Sequence, residues 1–166
     1  MAPKNIKGLL LYYNHISSSL LRQGMGILMK RVAFYYNAQL DREQNPSKYE
    51  SQKQFFEKLR KIPNFHLVLC KLLKRNITGT DKFYYIIKED DIHIAVDMVE
   101  NAGENEFDTA IIVSGDGDFV PAVEAVKRKN KEVENVYFKN SSSRNLQMHC
   151  NNSFELTRAI LDKFFG

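Results

Sequence analysis

One stretch constrains this chain more than any other, Asp108-Thr-Ala-Ile-Ile-Val-Ser-Gly-Asp-Gly-Asp-Phe-Val-Pro121. Ala110 to Val113 form an apolar run, Ser114 and Gly115 break it, and Asp116 and Asp118 follow with only Gly117 between them. An apolar run bounded by Gly and followed by a helix-like segment reads as a fully buried strand feeding a turn. In an open α/β sheet, ligands bind in the crevice outside the carboxyl ends of the strands. Two carboxylates held that close repel each other unless a cation shares them, so the turn points to an oxygen-ligated Mg²⁺ or Mn²⁺.

The 166 residues fit a single domain, 1–166, with a full-sized core. Hydrophobic residues make up 43% and charged residues 27%, the profile of a globular protein in water. No apolar run approaches the ~20 residues that span a bilayer, and no long apolar core follows the first lysines, so neither a membrane span nor a secretory signal is expected. Cys70 and Cys150 lack CxxC spacing and read as free thiols in a reducing compartment, the cytoplasm. The net charge is only +4, but the positives cluster. Lys48, Lys53, Lys58, Arg60 and Lys61 share one segment, Lys71, Lys74 and Arg75 the next, and four more fall within Lys127–Lys131. Such clusters either track a phosphate backbone or form solvated helix faces.

Read in order, Ile6–Tyr13 forms a first strand ending in Asn14-His15, and Ser17, Ser18 or Ser19 caps a helix over Leu20–Lys30. Arg31–Tyr36 is a strand by its β-branched and aromatic content, and Asn37–Pro46 a loop. Ser47 caps a helix from Lys48 to about Ile62, with Phe55, Phe56, Leu59 and Ile62 as its apolar stripe. Phe65–Leu73 is a third strand and Asn76–Asp81 a turn, so Phe83–Ile87 is either a returning strand or an extended lead-in to a helix. That helix, Ile92–Val99, has an acidic start that suits its macrodipole. After the Asp108–Ser114 strand come a helix to about Asn130 with Pro121 in its first turn, then a strand, Glu132–Phe138. A polar loop, Asn140–Ser143, leads to a short helix, Arg144–Cys150, an edge strand, Ser153–Leu156, and a terminal helix, Thr157–Phe165. Alternation of strands and helices argues a mainly parallel sheet covered on both faces, a three-layer α/β/α sandwich.

The segment KEDDIHIAVDMVENAGENEFDTAIIVSGDGDFVPAVEAVKRKNKEV, Lys88 to Val133, resembles the NYN domain in its LabA-like branch, part of the PIN-like nuclease superfamily. A lone DxD is weak, whereas the SGDGDF turn together with the upstream helix bearing Asp91 and Asp97 is specific. The resemblance implies a PIN-like, Rossmann-like sandwich and Mg²⁺- or Mn²⁺-dependent hydrolysis of RNA. RNA, single-stranded or structured, would be the partner, with no membrane and with a homodimer left open. Asp91, Asp116 and Asp118 occupy family acidic positions, and so does Asp97. On a helix Asp97 points roughly 120° away from Asp91, which ranks Asp91 first as a ligand and leaves Asp97 a supporting role.

The chain departs from the family at the end of its first strand. In one alignment Asn14 stands at a family Asp and Ser17 at a family Asn; in the other, Asn14 is the Asn and Leu11 the Asp. Either way the first strand brings no acid, and Asn14 offers only an uncharged carbonyl oxygen to the expected metal site. Ser114 at the strand end either bonds a ligand or phosphate or is a plain turn residue, and Lys88 near the acids either contacts phosphate or is solvated. His15 beside Asn14 is a candidate to touch substrate, and Arg144 after Ser141–Ser143 belongs either to a phosphate-binding loop or to an ordinary surface loop. His93 and His149 have no zinc-ligand spacing with either cysteine. Three functions compete: a metal-dependent endoribonuclease, whole or weakened at Asn14; an inactive RNA-binding or protein-interaction module of the same fold; and a Rossmann-like phosphatase. The last needs a nucleophilic Asp ending the first strand, which neither Asn14 nor Leu11 supplies.

Overall fold

The computed structural model describes residues 9–14 and 31–165. Ser17, His15, the Leu20–Lys30 helix and the first residues of the Ile6–Tyr13 strand lie outside them. Seven strands form one sheet: β1 (Leu9–Tyr13), β2 (Arg31–Ala38), β3 (Phe65–Asn76), β4 (Phe83–Lys88), β5 (Thr109–Val113), β6 (Glu132–Tyr137) and β7 (Asn152–Glu155), in the order β4-β3-β2-β1-β5-β6-β7. Among the described residues five helices accompany them: α1 (Pro46–Leu59), α2 (Asp90–Gly103), α3 (Val120–Lys127), α4 (Arg144–His149) and α5 (Arg158–Phe165). The fold is α/β. The β2–β3, β5–β6 and β6–β7 pairs are parallel, and β1–β2, β1–β5 and β3–β4 are antiparallel, so the sheet is mixed.

The direction of β1 has a consequence for the site. It runs antiparallel to β5, with Leu9 opposite Val113 and Tyr13 opposite Thr109. Asn14 therefore leaves the sheet at the amino end of β5, where its Nδ2 donates to the Glu106 carbonyl at 3.5 Å.

Alternation along the central strands decides what is buried. Leu10 and Tyr12 of β1, Tyr36 of β2, Ala110 and Ile112 of β5, and Val133 of β6 share one core cluster with Ile94, Met98 and Ala102 of α2 and Val123 and Val126 of α3. The i, i+4, i+8 spacing of Ile94, Met98 and Ala102 is the apolar stripe of a helix lying on a sheet. Burying a side chain such as Met98 or Ile94 contributes about 1.5–3 kcal/mol. Tyr12 stacks on Phe107 at 4.3 Å between ring centres, and burial pushes its phenol well above the ordinary range.

Several sequence expectations shift. Asn45, not Ser47, caps α1 by accepting from the Lys48 N–H, because Pro46 suits the first turn, where its missing N–H is not needed. Of the proposed stripe on α1, Phe56 is buried, whereas Phe55 stays 46% exposed and Ile62, beyond the end of α1 at Leu59, 47%. The lead-in to α2 is a strand: β4 pairs with the far half of β3, Lys71–Asn76, beyond the last β2–β3 pair at Ala38 and Cys70. Cys70 and Cys150 are free and buried, which raises both thiols to about 11.

Candidate active site

The turn after β5 is built by its own side chains. The Asp116 N–H donates to Ser114 Oγ at 3.1 Å, and the Asp118 N–H donates to Asp116 Oδ1 at 2.9 Å. Asp116 thus caps a single 3₁₀ turn, Gly117–Phe119, that runs straight into α3. Phe119 and Val120 are buried and anchor the turn, leaving Asp116 and Asp118 exposed. Asn135 of β6, wholly buried, clamps the strand end from beside it: its Nδ2 donates to the Ser114 carbonyl at 2.8 Å and to the Ile112 carbonyl at 3.3 Å. The β6–α4 loop closes over the turn. A methyl group on Gly115 would overlap the Ser141 carbonyl, and one on Gly117 would lie 2.9 Å from Ser143 Oγ. Only glycine permits the two loops this approach.

Asp118 meets Asp91 across one cleft. The cleft, about 510 Å³, is lined by Lys71 and Leu73 of β3, Lys88 of β4, Asp91 of α2, and Asp118. The β4–α2 junction is sharp because Glu89 takes a left-handed conformation, φ 76°, uncommon for a residue with a Cβ. One residue in that conformation puts Lys88, ending the strand, and Asp91, in the first helical turn, on the same cleft. Asp90 and Asp91 also sit at the positive end of the α2 dipole, which favours carboxylates there.

The remaining candidates fall elsewhere. Asp97, six residues after Asp91 and hence ~9 Å further along the axis, faces the sheet and accepts from Tyr36 Oη at 2.7 Å. Burial and this carboxylate push the Tyr36 phenol far up, so it remains a donor and ties α2 to β2. Arg144 is exposed and opens α4, one residue after the Ser143 that faces Gly117; it borders the turn from the side of the β6–α4 loop. Asn14 is a correction. It was expected beside the aspartates, but antiparallel β1 carries it to the other end of β5, a five-residue strand ~16 Å long. Leu11, the alternative position for a first-strand acid, pairs with Ile111 in mid-strand. His15 and Ser17 lie outside the described residues.

Two contributors escaped the sequence reading. Lys71 counted only as part of a basic cluster, and its place in the cleft depends on β3 pairing with β4. Asn135 was not singled out within the Glu132–Phe138 strand; a lone amide between Val133 and Val136, inside an apolar alternation, was the available signal.

Among the described residues, no three His, Cys, Asp or Glu side chains are drawn together tightly enough to chelate a metal ion alone. Asp91 and Asp118 nonetheless fit a hard cation of one kind. Mg²⁺ keeps several waters and binds through one or two carboxylates rather than in an all-protein cage.

An α/β sheet with paired carboxylates in a crevice at the carboxyl end of a central strand defines the class. Within it the chain belongs to the NYN domain family, whose model matches residues 4–157. It is also similar to a protein of unknown function from Vibrio parahaemolyticus seen in a crystal structure, at 28% identity and a TM-score of 0.54, over 75% of this chain and 68% of that one. No curated protein matches the chain. Among the described residues no helix is long and apolar enough to cross a membrane.

Proposed function

We propose that the chain is a ribonuclease of the LabA-like NYN branch that hydrolyses RNA phosphodiester bonds with Mg²⁺ or Mn²⁺. Its partner is then RNA, single-stranded or structured, its compartment the cytoplasm, and a homodimer is compatible with the reading. The family's place in the PIN-like nuclease superfamily supports this, and one observation carries it: Asp91 and Asp118, from different elements, share a cleft with two lysines. A bound divalent cation supplies a water of lowered pKa and stabilises charge on the phosphoryl oxygens. The chain's own groups do the rest. Asp91 and Asp118 would hold the cation. Asp116 fixes the backbone of Asp118 and adds negative charge beside it. Lys88, and Lys71 opposite it, neutralise the substrate phosphate that the acids would otherwise repel. Water is the attacking group, so no Ser or Cys nucleophile is required.

Incubating labelled RNA with the purified chain and Mn²⁺ or Mg²⁺ tests this. Fragments that appear with metal and vanish with chelator support the reading. Binding without cleavage under every metal condition replaces it with the inactive RNA-binding module.

A further inference from the structure

We infer that the open face of the β3–β4 hairpin is a track for single-stranded RNA leading into the acidic cleft, with Lys71, Lys88, Arg75 and Tyr84 as its contacts. The inference rests on the ribonuclease reading and adds where the substrate lies.

The hairpin extends past the end of β2, so its far half has only two strands. Register assigns its side chains to faces, because residues directly opposite in an antiparallel pair share one. Lys71 faces Lys88, Leu73 faces Ile86, and Arg75 faces Tyr84, and these three rungs share a face. The other face holds the pairs Leu72–Ile87, Lys74–Tyr85 and Asn76–Phe83. That second face makes contacts within the protein. Tyr85 Oη donates to Asp41 Oδ2 at 2.5 Å, and Lys74 Nζ lies 3.9 Å above the Phe83 ring. The first face begins in the cleft with Lys71, Leu73 and Lys88 and runs outward to Arg75 and Tyr84, the tyrosine 51% exposed.

Charge identifies the occupant. Five cations, Lys71, Lys74, Arg75, Lys82 and Lys88, stand against one acid, Asp81, within the hairpin. This excess equals the net +4 of the whole chain. Like charges directly opposite across a ladder destabilise it, yet Lys71 and Lys88 hold that position at the cleft mouth. Among the described residues no carboxylate lies within ion-pair distance of either. An anion bridging both lysines removes the repulsion. The outer rung, a guanidinium opposite an exposed phenol, offers a phosphate contact and a stacking surface together, the pairing that holds single strands without sequence preference. Rungs repeat at ~6.7 Å along the strand, so an extended polyanion meets a cation at the cleft and another two rungs out.

The test is anisotropy of a fluorescein-labelled oligouridine with the intact chain, in chelator so that cleavage plays no part, over a range of salt. The double variant Lys71→Gln/Arg75→Gln is expected to flatten the log–log salt slope by about 1.4, or ~0.7 per lost phosphate contact. Tyr84→Ala should weaken binding about fivefold or more with the slope unchanged. Lys74→Gln removes a charge from the opposite face, where it lies over the Phe83 ring, and should leave affinity within twofold. All four positions are exposed, and far-UV circular dichroism checks each fold. Equal losses from Lys74→Gln and the double variant overturn the track, since charge rather than face would then govern binding. Unchanged affinity and slope in the double variant also overturn it, and would assign the hairpin to a protein partner. If the unaltered chain binds no RNA, the ribonuclease reading itself falls; if it binds and cuts while the hairpin variants behave like it, only the track falls.

Discussion

Gly115→Ala probes how the acidic turn is held. The new methyl would overlap the backbone carbonyl of Ser141 and lie 2.8 Å from its hydroxyl. Gly115 is not in a left-handed conformation, so the cost is steric alone. A side chain could rotate away, but a carbonyl in a loop leading into α4 cannot, and either the turn or the loop must shift. Overpacking of this kind costs about 1–3 kcal/mol. For a domain of this size each kcal/mol lowers Tm by ~2–4 °C, so a fall of roughly 4–8 °C is expected at the middle of that range. Gly117→Ala is the internal comparison. Its methyl meets Ser143 Oγ, which can turn aside at the expense of its hydrogen bond from the Leu146 N–H, a cap worth about 1 kcal/mol. Thermal melts followed by circular dichroism should rank Gly115→Ala below Gly117→Ala below the unaltered chain. Adding Ser141→Ala should not rescue Gly115→Ala, because the backbone carbonyl remains. RNA cleavage should fall further than stability, as a displacement near 1 Å in an active site can cost ~100-fold. A Gly115→Ala protein that melts with the unaltered chain would refute the packing described.

Two other perturbations read separate parts of the molecule. Tyr85→Phe removes the hydrogen bond that holds the hairpin to Asp41. The bond needs a charged Asp41, whose carboxyl it pulls below 3.8, and a neutral Tyr85, whose phenol it raises from 10.0 to about 12. A depressed acid stabilises the fold above its unfolded pKa and loses that contribution as pH falls through the folded value. A raised phenol does so below its unfolded pKa and loses it as pH rises through the folded value. The stability gap between Tyr85→Phe and the unaltered chain in urea unfolding should therefore be full between about pH 4 and 10, and close on either side; a gap independent of pH contradicts the assignment. Asn14→Asp should leave RNA cleavage unchanged, because its carboxylate would sit at the amino end of β5, and a rise in cleavage would mean that β1 delivers its end to the cleft after all.

Among the described residues the order of strands and helices was legible because each period is local: the apolar run before Ser114, the i, i+4, i+8 stripe of α2, and the Gly and Pro punctuation all act within a few residues. Strand direction was not, since β1 reads the same either way. The placement of Asn14 depended on it. Asp91 and Asp118 were legible because a helix start and a post-strand turn mark positions as well as residue types. Lys71 was not, because its partner is set by pairing across the Asn76–Asp81 turn, and one residue of slippage would send it to the other face. Asp97 shows the converse: its sequence position matched a family acid, but its direction on α2 turned it to Tyr36.

Metal-dependent cleavage by carboxylate variants tests the central claim most directly. Single-turnover hydrolysis of labelled RNA in Mn²⁺ should be lost, by about 100-fold or more, in Asp91→Asn and in Asp118→Asn alike. Asp97→Asn should cut nearly as the unaltered chain does, after correction for the fraction folded. Equal activity of Asp91→Asn, Asp118→Asn and the unaltered chain would show that the cleft between α2 and the β5 turn is not where RNA is cut.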